Sequence, residues 1–148
     1  MSATSLLSGV AGEYFVAAEL SRRGYVASIT LRNTRCTDIV VTNADASRTV
    51  TIQCKTSSKE TKTWILSQKS EDFVSDTHFY VFVSLRGELE RPTYHIVPSK
   101  VVAETIRIGH SEWLKGTSKS GKPHKDSAIR NFSDKNDAYL EKWQILGL

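Results

Sequence analysis

The sequence predicts an α/β or α+β fold in which a central mixed β-sheet is flanked by helices. A long amphipathic segment opens the chain, and three segments with strand-like patterns follow it. A nearly continuous apolar run, His78–Leu85, is typical of a strand that is buried on both faces. The chain of 148 residues shows no shift in composition along its length, so we expect a single domain over 1–148.

The first half of the chain contains one predicted helix and three predicted strands. The helix covers Ser5–Arg23, where apolar residues recur with helical spacing, and Gly24 is placed to end it. The strands cover Tyr25–Thr30, Thr37–Asn43 and Arg48–Ser57. A short polar segment joins the last two strands, which indicates a hairpin.

The second half is predicted to add further strands and two helices, with Ser99 as a candidate cap for the first of these helices. In chain order the elements are a short strand and a helical turn or two within Lys59–Asp76, strands at His78–Leu85 and Thr93–Val97, a helix over Lys100–Leu114, an exposed loop over Gly116–Asp126 and a last helix over Ser133–Trp143. The full predicted order is α-β-β-β-(α)-β-β-α-α.

One carboxylate breaks the apolar pattern of the first helix. Helical geometry places four apolar side chains on one stripe: Leu6, Val10, Ala17 and Leu20. Glu13 falls in the middle of this stripe, whereas Glu19 lies away from it and is expected to face solvent. A carboxylate that points to the interior is costly unless it is paired, hydrogen-bonded or bound to a metal. Glu13 is therefore either the partner of a buried basic residue or a ligand.

The hairpin has one register that matches apolar side chains across it. Ile39 then lies opposite Ile52, and Val41 lies opposite Val50. A slip of one residue would move every side chain of one strand to the wrong face. We therefore expect this register.

The same register gathers polar side chains on the opposite face, where Asp38 meets Gln53 and Lys55 follows two residues on. Mg²⁺ prefers oxygen ligands and takes one or two carboxylates beside waters and phosphate oxygens. Asp38 is the natural primary ligand, the backbone carbonyl of Cys54 is expected to point toward it, and Glu13 could approach from the first helix. Lys55 could activate a water or steady the charge on a phosphate. The alternative is a cross-strand Asp–Lys ion pair on a solvated face.

The pattern Glu13 … Asp38 … Gln53-x-Lys55 resembles the PD-(D/E)XK nuclease superfamily. In that superfamily a glutamate on the first helix, an aspartate on the second strand and a (D/E/Q)-x-K motif on the third strand form the active site. The stretch TDIVV followed by IQCK is most similar to Mrr-type restriction endonucleases and archaeal Holliday-junction resolvases. The resemblance covers about Gly12–Ser57, and beyond that only the order of the elements supports it.

The resemblance implies a restriction-endonuclease-like core and hydrolysis of phosphodiester bonds in DNA, with Mg²⁺ or Mn²⁺ as cofactor. It assigns Glu13, Asp38, Gln53 and Lys55 to the catalytic site, and the first three, with the Cys54 carbonyl, to the metal. Nucleases of this fold often form homodimers to cut both strands, and Phe15 on the outer face of the first helix is a candidate interface residue.

Gln53 departs from the more frequent acid of the motif and leaves the site with one negative charge less. Two hypotheses follow. The first is a metal-dependent DNA endonuclease, with structured or foreign DNA as the candidate substrate. RNA is left open because this chemistry does not select the sugar. The second is a non-catalytic nucleic-acid-binding module that retains the nuclease fold.

Several lysines outside the cluster are candidates for contact with phosphates. Lys59 and Lys62 follow the third strand, and Lys119, Lys122 and Lys125 lie in the predicted loop. A solvated basic surface is the alternative, since the net charge of +4 permits a polyanionic partner without requiring one.

Other classes of site are absent from the sequence. Its two cysteines, Cys36 and Cys54, lack metal-ligand spacing, and there is no Gly-rich phosphate loop and no nucleophile elbow. No apolar run approaches the roughly 20 residues that span a membrane, and the start shows no basic segment followed by a long apolar one. We therefore expect a cytoplasmic protein without a membrane partner.

Overall fold

The computed structural model describes residues 3–31 and 34–148, which form two α-helices, two short 3-10 helices and seven strands. The helices are α1 (Ala3–Arg22) and α2 (Ser99–Leu114), and the 3-10 helices cover Gln68–Glu71 and Trp143–Leu146. The strands are β1 (Val26–Ile29), β2 (Ile39–Thr42), β3 (Thr49–Ser57), β4 (Thr63–Ser67), β5 (His78–Ser84), β6 (Thr93–Pro98) and β7 (Ile129–Ser133). None of the helices in this part of the chain is long and apolar enough to cross a membrane.

Five strands form the main sheet in the order β1-β2-β3-β5-β6, and β4 and β7 form a separate two-stranded ribbon. The pair β3–β5 is parallel and the other neighbours are antiparallel, so the main sheet is mixed. The hairpin has the predicted register, with Ile39 opposite Ile52 and Val41 opposite Val50. The predicted fold class, a mixed sheet flanked by helices, is therefore confirmed.

Two apolar clusters cover the two faces of the main sheet. On one face Leu20 of α1 packs with Ile52 and Val81. On the other face α2 and the β4–β7 ribbon pack against Tyr80 and Phe82. Because Gln53 and Lys55 are the register partners of these two aromatic residues, they belong to the α2 face of β3.

The predicted last helix over Ser133–Trp143 is wrong, because β7 ends at Ser133 and turns follow it. The carboxylate of Asp134 accepts hydrogen bonds from two backbone N–H groups of the following turn, at 2.9 Å each, and contacts His95 Nδ1 at 2.7 Å. Asp137 and Glu141 have φ angles of 57° and 55°, which a continuous helix does not allow. The buried Asp134–His95 contact holds this segment in place of helical hydrogen bonds.

The start of α2 differs from the prediction in one detail. Ser99 is the first helical residue rather than a cap, and Pro98 occupies the cap position. The buried Ser99 hydroxyl donates to the carbonyl of Ser75 at 2.9 Å and accepts from the Ser75 N–H at 3.0 Å. A buried hydroxyl needs such partners, and this exchange ties α2 to the segment that precedes β5.

The two carboxylates of α1 also differ from expectation. Glu19, expected in solvent, is only 6% exposed, whereas Glu13 is half-buried. Glu19 lies within 3.1 Å of guanidinium nitrogens of Arg22, Arg23 and Arg91. Hydrogen bonds from these groups, Arg91 first, lower the pKa of Glu19 to about 2 against the opposing effect of burial. These ion pairs therefore compensate the free-energy cost of burying Glu19, a burial that the apolar stripe of the helix did not predict.

Glu19→Gln is expected to lower the free energy of unfolding at pH 7 by about 2 kcal/mol, because three guanidinium groups lose a charged acceptor. The pKa of Glu19 is lowered in the folded state, so its contribution is present above pH 4.5 and is lost as the pH falls toward 2. Urea unfolding at pH 7 and pH 3 measures both effects. Glu104→Gln, at an exposed position of α2, is the control; an equal loss in both variants would contradict the account.

Candidate active site

Asp38 occupies a fixed position just before β2. Its backbone N–H donates to the carbonyl of Ile52, and its carbonyl accepts from the N–H of Thr30, both at 2.8 Å. Its carboxylate Oδ2 accepts two further hydrogen bonds, from Gln53 Nε2 at 2.5 Å and from the Cys54 N–H at 2.7 Å. The predicted meeting of Asp38 and Gln53 across the hairpin is thus present in the structure.

The edge of β3 is open beyond this point. The pairing of β2 with β3 stops at Ile39–Ile52, while β3 continues to Ser57. The Cys54 N–H faces this edge, because it donates to Asp38. The N–H and carbonyl of one strand residue point to the same side, so the Cys54 carbonyl also faces the open edge. Its assignment as a metal ligand stays a prediction.

Burial makes the ionised form of Asp38 less favourable. Burial raises the pKa of the Asp38 carboxyl above its ordinary value. The Cys54 N–H, the charge of Lys55 and the hydrogen bond from Gln53 act in the opposite direction without cancelling the rise. A cation at the free oxygen would favour the ionised form.

Gly12 permits the close approach of α1 to β3. A Cβ atom built on Gly12 would lie 1.8 Å from Oγ1 of Thr56 and 2.9 Å from its Cβ. Any other residue at this position would push the helix away from the strand. Because Glu13 is the next residue, the glycine brings its carboxylate close to β3.

The charge of Glu13 acts on the buried Cys54 thiol. Burial raises the pKa of Cys54 well above its ordinary value, the charges of Asp38 and Glu13 raise it further, and Lys55 opposes them. All three charges are therefore near enough to Cys54 to affect the pKa of its thiol. Glu13 belongs to α1, which packs on the face of the sheet opposite to the one that carries Gln53 and Lys55.

Lys55 borders a cleft of about 580 Å³ between the start of α1, the end of β3 and the ribbon. Lys55 itself is half-buried. The hydroxyl-bearing residues at the start of α1 that line this cleft are Thr4, Ser5 and Ser8. The N-terminus of a 20-residue helix carries partial positive charge, so the cleft combines an ammonium group, a helix N-terminus and hydroxyls. Such surroundings suit an anionic group.

The donor set fits Mg²⁺ or Mn²⁺ better than a transition-metal site. No group of three His, Cys, Asp or Glu side chains suited to a metal occurs within 3–31 and 34–148. The cluster offers instead the carboxylates of Asp38 and Glu13, the amide oxygen of Gln53 and the Cys54 carbonyl. These are hard oxygen donors, and Mg²⁺ completes its shell with waters and phosphate oxygens. A cation beside Asp38 would also offset the burial that raises the pKa of its carboxyl.

Tyr80 is a neighbour of the cluster that the sequence analysis did not single out. It is the register partner of Gln53 on β5. Burial raises its pKa, a hydrogen bond with Ser70 opposes the rise, and the charges of Cys36 and Asp38 add to it. Its position beside Gln53 depends on the parallel register of β3 with β5, which no local sequence pattern provides.

The predicted nucleic-acid-binding lysines lie on the surface. Lys59 is exposed, and Lys62 forms an exposed ion pair with Asp137 at 2.6 Å. The loop residues Lys119, Lys122 and Lys125 are exposed as well. Their contact with nucleic acid stays a prediction.

The element order, the mixed sheet and the position of the cluster at the start of β2 define a restriction-endonuclease-like fold. Two solved structures share it. Hjc, a Holliday junction resolvase from the archaeal hyperthermophile Archaeoglobus fulgidus, is 14% identical with a TM-score of 0.55, over 94% of this chain and 95% of its own. The bacterial homing endonuclease I-Ssp6803I is 14% identical with a TM-score of 0.57, over 97% of this chain and 91% of its own. The predicted resemblance is confirmed for the fold.

No protein-family model matches the chain. No curated protein matches its sequence either. The functional argument therefore depends on the site itself.

Proposed function

We propose that this protein is a metal-dependent endonuclease that hydrolyses phosphodiester bonds in DNA. The observation that carries the proposal is the cluster at the open edge of β3. There the Asp38 carboxylate is held by Gln53 and the Cys54 N–H, and Lys55 borders a cleft suited to an anion. Two structural neighbours are, by name, a Holliday junction resolvase and a homing endonuclease, which supports the choice of DNA.

Each residue of the cluster has a proposed task. Asp38, Glu13, the Gln53 amide oxygen and the Cys54 carbonyl would hold Mg²⁺ or Mn²⁺. When bound, such an ion polarises the phosphate and lowers the pKa of a bound water. The Cys54 N–H and Gln53 Nε2 orient Asp38 so that its second oxygen stays available.

Lys55 supplies positive charge beside the carboxylates. Its ammonium group would steady the charge that develops on the phosphate oxygens or orient the attacking water. The start of α1 would favour a phosphate on the other side of the same cleft.

The proposal is tested with supercoiled plasmid, single-stranded DNA and four-way junctions, incubated with Mg²⁺, Mn²⁺ or EDTA. We expect cleavage of at least one substrate that requires the metal. Absence of cleavage of every substrate at all metal concentrations would overturn the proposal.

A non-catalytic nucleic-acid-binding module is the second candidate, favoured by one observation. The neutral Gln53 donates its amide N–H to Asp38, where an acid would offer a second negative charge to a cation. Such a module should bind DNA with an affinity that falls as the salt concentration rises, and it should not cleave the DNA. Calorimetric titration with Mn²⁺ separates the two, because binding that Asp38→Ala abolishes would support the nuclease.

A further inference from the structure

The β4–β7 ribbon presents an exposed face of unusual composition. Side chains alternate along both strands between buried and outward-facing positions. The outward-facing residues are Thr63, Ile65, Ser67, Ile129, Asn131 and Ser133. Ile65 is 71% exposed and Ile129 is 57% exposed, so both isoleucines face mainly solvent. The face combines short hydrogen-bonding groups with two isoleucines and carries no charge.

The inward face fixes the ribbon rigidly to the main sheet. Trp64 is 3% exposed and donates from Nε1 to the Val83 carbonyl at 3.0 Å. Phe132 stacks on Phe82 with ring centroids 4.5 Å apart. Arg130 is buried and paired with Glu71. The outward face is therefore a preformed surface.

This face connects the candidate active site to a second concave region. At its β4 side, Thr63 and Ile65 line the same cleft as Lys55. At its β7 side, Asn131 lines a cavity of about 640 Å³ that also includes Trp113 and other residues. One continuous surface thus leads from the cleft, across the ribbon, to the end of α2.

The far side of this surface is basic. Lys135 lines the second cavity, and the loop between Trp113 and Ile129 carries the exposed Lys119, Lys122 and Lys125. The nearby acidic side chains each contact a basic residue or a histidine. The pairs are Asp126–His110, Glu112–Lys115 and Asp137–Lys62. The neutral face therefore has a basic group at both ends, which suits a polyanion with a less polar groove between its phosphates.

We infer that the outward face of the β4–β7 ribbon enters the major groove of duplex DNA, with Ile65 and Asn131 at the base edges. This inference rests on the proposed function, because the duplex would then run from the ribbon into the Lys55 cleft. Two strands about 4.8 Å apart fit a groove about 12 Å wide. Asn pairs with adenine edges and apolar side chains contact thymine methyl groups. Lys55 at one end of this face and Lys135 at the other would contact the phosphates on either side of the groove.

Charge-changing substitutions test the inference without any need for cleavage. The variant Ile65→Glu/Asn131→Asp adds two carboxylates to the outward face. The control Val74→Glu/Asn136→Asp adds the same charges at exposed positions outside both cavities. Binding of a fluorescein-labelled 30-base-pair duplex in EDTA is measured by anisotropy. We expect the ribbon variant to lose affinity on the order of twentyfold, and the control to lose less than about threefold, because like charges repel at short range.

Dimethyl sulfate probing of the saturated complex identifies the groove. Guanine N7 lies in the major groove and adenine N3 in the minor groove. We expect protection of guanine N7 that the ribbon variant loses. Protection of adenine N3 alone, or preference for a single strand over the duplex, would overturn the inference.

The two proposals fail in different ways. If the parent cleaves DNA and the ribbon variant binds as well as the control, the inference is wrong and the nuclease assignment stands. If the parent neither cleaves nor binds DNA, both are wrong. Unchanged thermal unfolding of both variants is required for the comparison.

Discussion

Asp38→Ala is expected to lower the rate of metal-dependent DNA cleavage by on the order of 10³-fold, and Lys55→Ala by on the order of 10²-fold or more. Asp38 is the proposed primary metal ligand, and burial disfavours its ionised carboxylate unless a cation lies beside it. In the proposed mechanism Lys55 acts on the same phosphate, so its loss would remove charge stabilisation and leave the proposed metal ligands in place. Initial rates on plasmid DNA, measured across Mg²⁺ concentrations, give both values.

The two variants should also differ in how metal affects them. Raising the Mg²⁺ concentration is expected to restore part of the activity of Asp38→Ala but none of that of Lys55→Ala, because only Asp38 is a proposed metal ligand. Asp76→Ala, at an exposed position before β5, is the matched control and should cleave as the parent does. Parental rates for both Asp38→Ala and Lys55→Ala would show that the active site is elsewhere.

Gly12→Ala is expected to lower the free energy of unfolding by about 2–3 kcal/mol. The new methyl group would overlap Thr56 Oγ1 at 1.8 Å, and α1 would have to move away from β3. Glu13 would move with the helix, so cleavage should fall on the order of 10²-fold. Chemical unfolding and initial cleavage rates test the two effects separately.

Two further variants make the Gly12 prediction specific. Gly9→Ala, in the same helix with nothing within 4 Å of the new Cβ, should stabilise the protein by up to about 1 kcal/mol. Thr56→Ala removes the Oγ1 atom, which has no hydrogen-bond partner in the described part of the chain, and should partly rescue Gly12→Ala. Equal effects of Gly9→Ala and Gly12→Ala would contradict the close approach.

The hairpin was predictable because local pattern alone determines it. Apolar matching of Ile39 with Ile52 fixes the register, and the register brings Asp38 to Gln53. Lys55 follows from the two-residue period of the strand. The cluster on β2 and β3 therefore needed no knowledge of the tertiary structure.

The remaining features depend on contacts between distant parts of the chain. Glu19 looked solvent-facing on a helical wheel, but Arg91, 72 residues away, allows its burial. Leu6, on the predicted apolar stripe, is 43% exposed because the start of α1 borders the cleft instead of the core. The helix predicted after β7 is wrong for the same reason, because Asp134 forms a hydrogen bond with His95 on β6.

A crystal structure with Mn²⁺, located by its anomalous scattering, tests the central claim most directly. The account predicts one ion at the open edge of β3, coordinated by Asp38, Glu13, the Gln53 amide oxygen and the Cys54 carbonyl. Asp38→Ala crystals treated in the same way should lack the ion. An ion bound elsewhere, or none at this edge in a protein that cleaves DNA with Mn²⁺, would contradict the account.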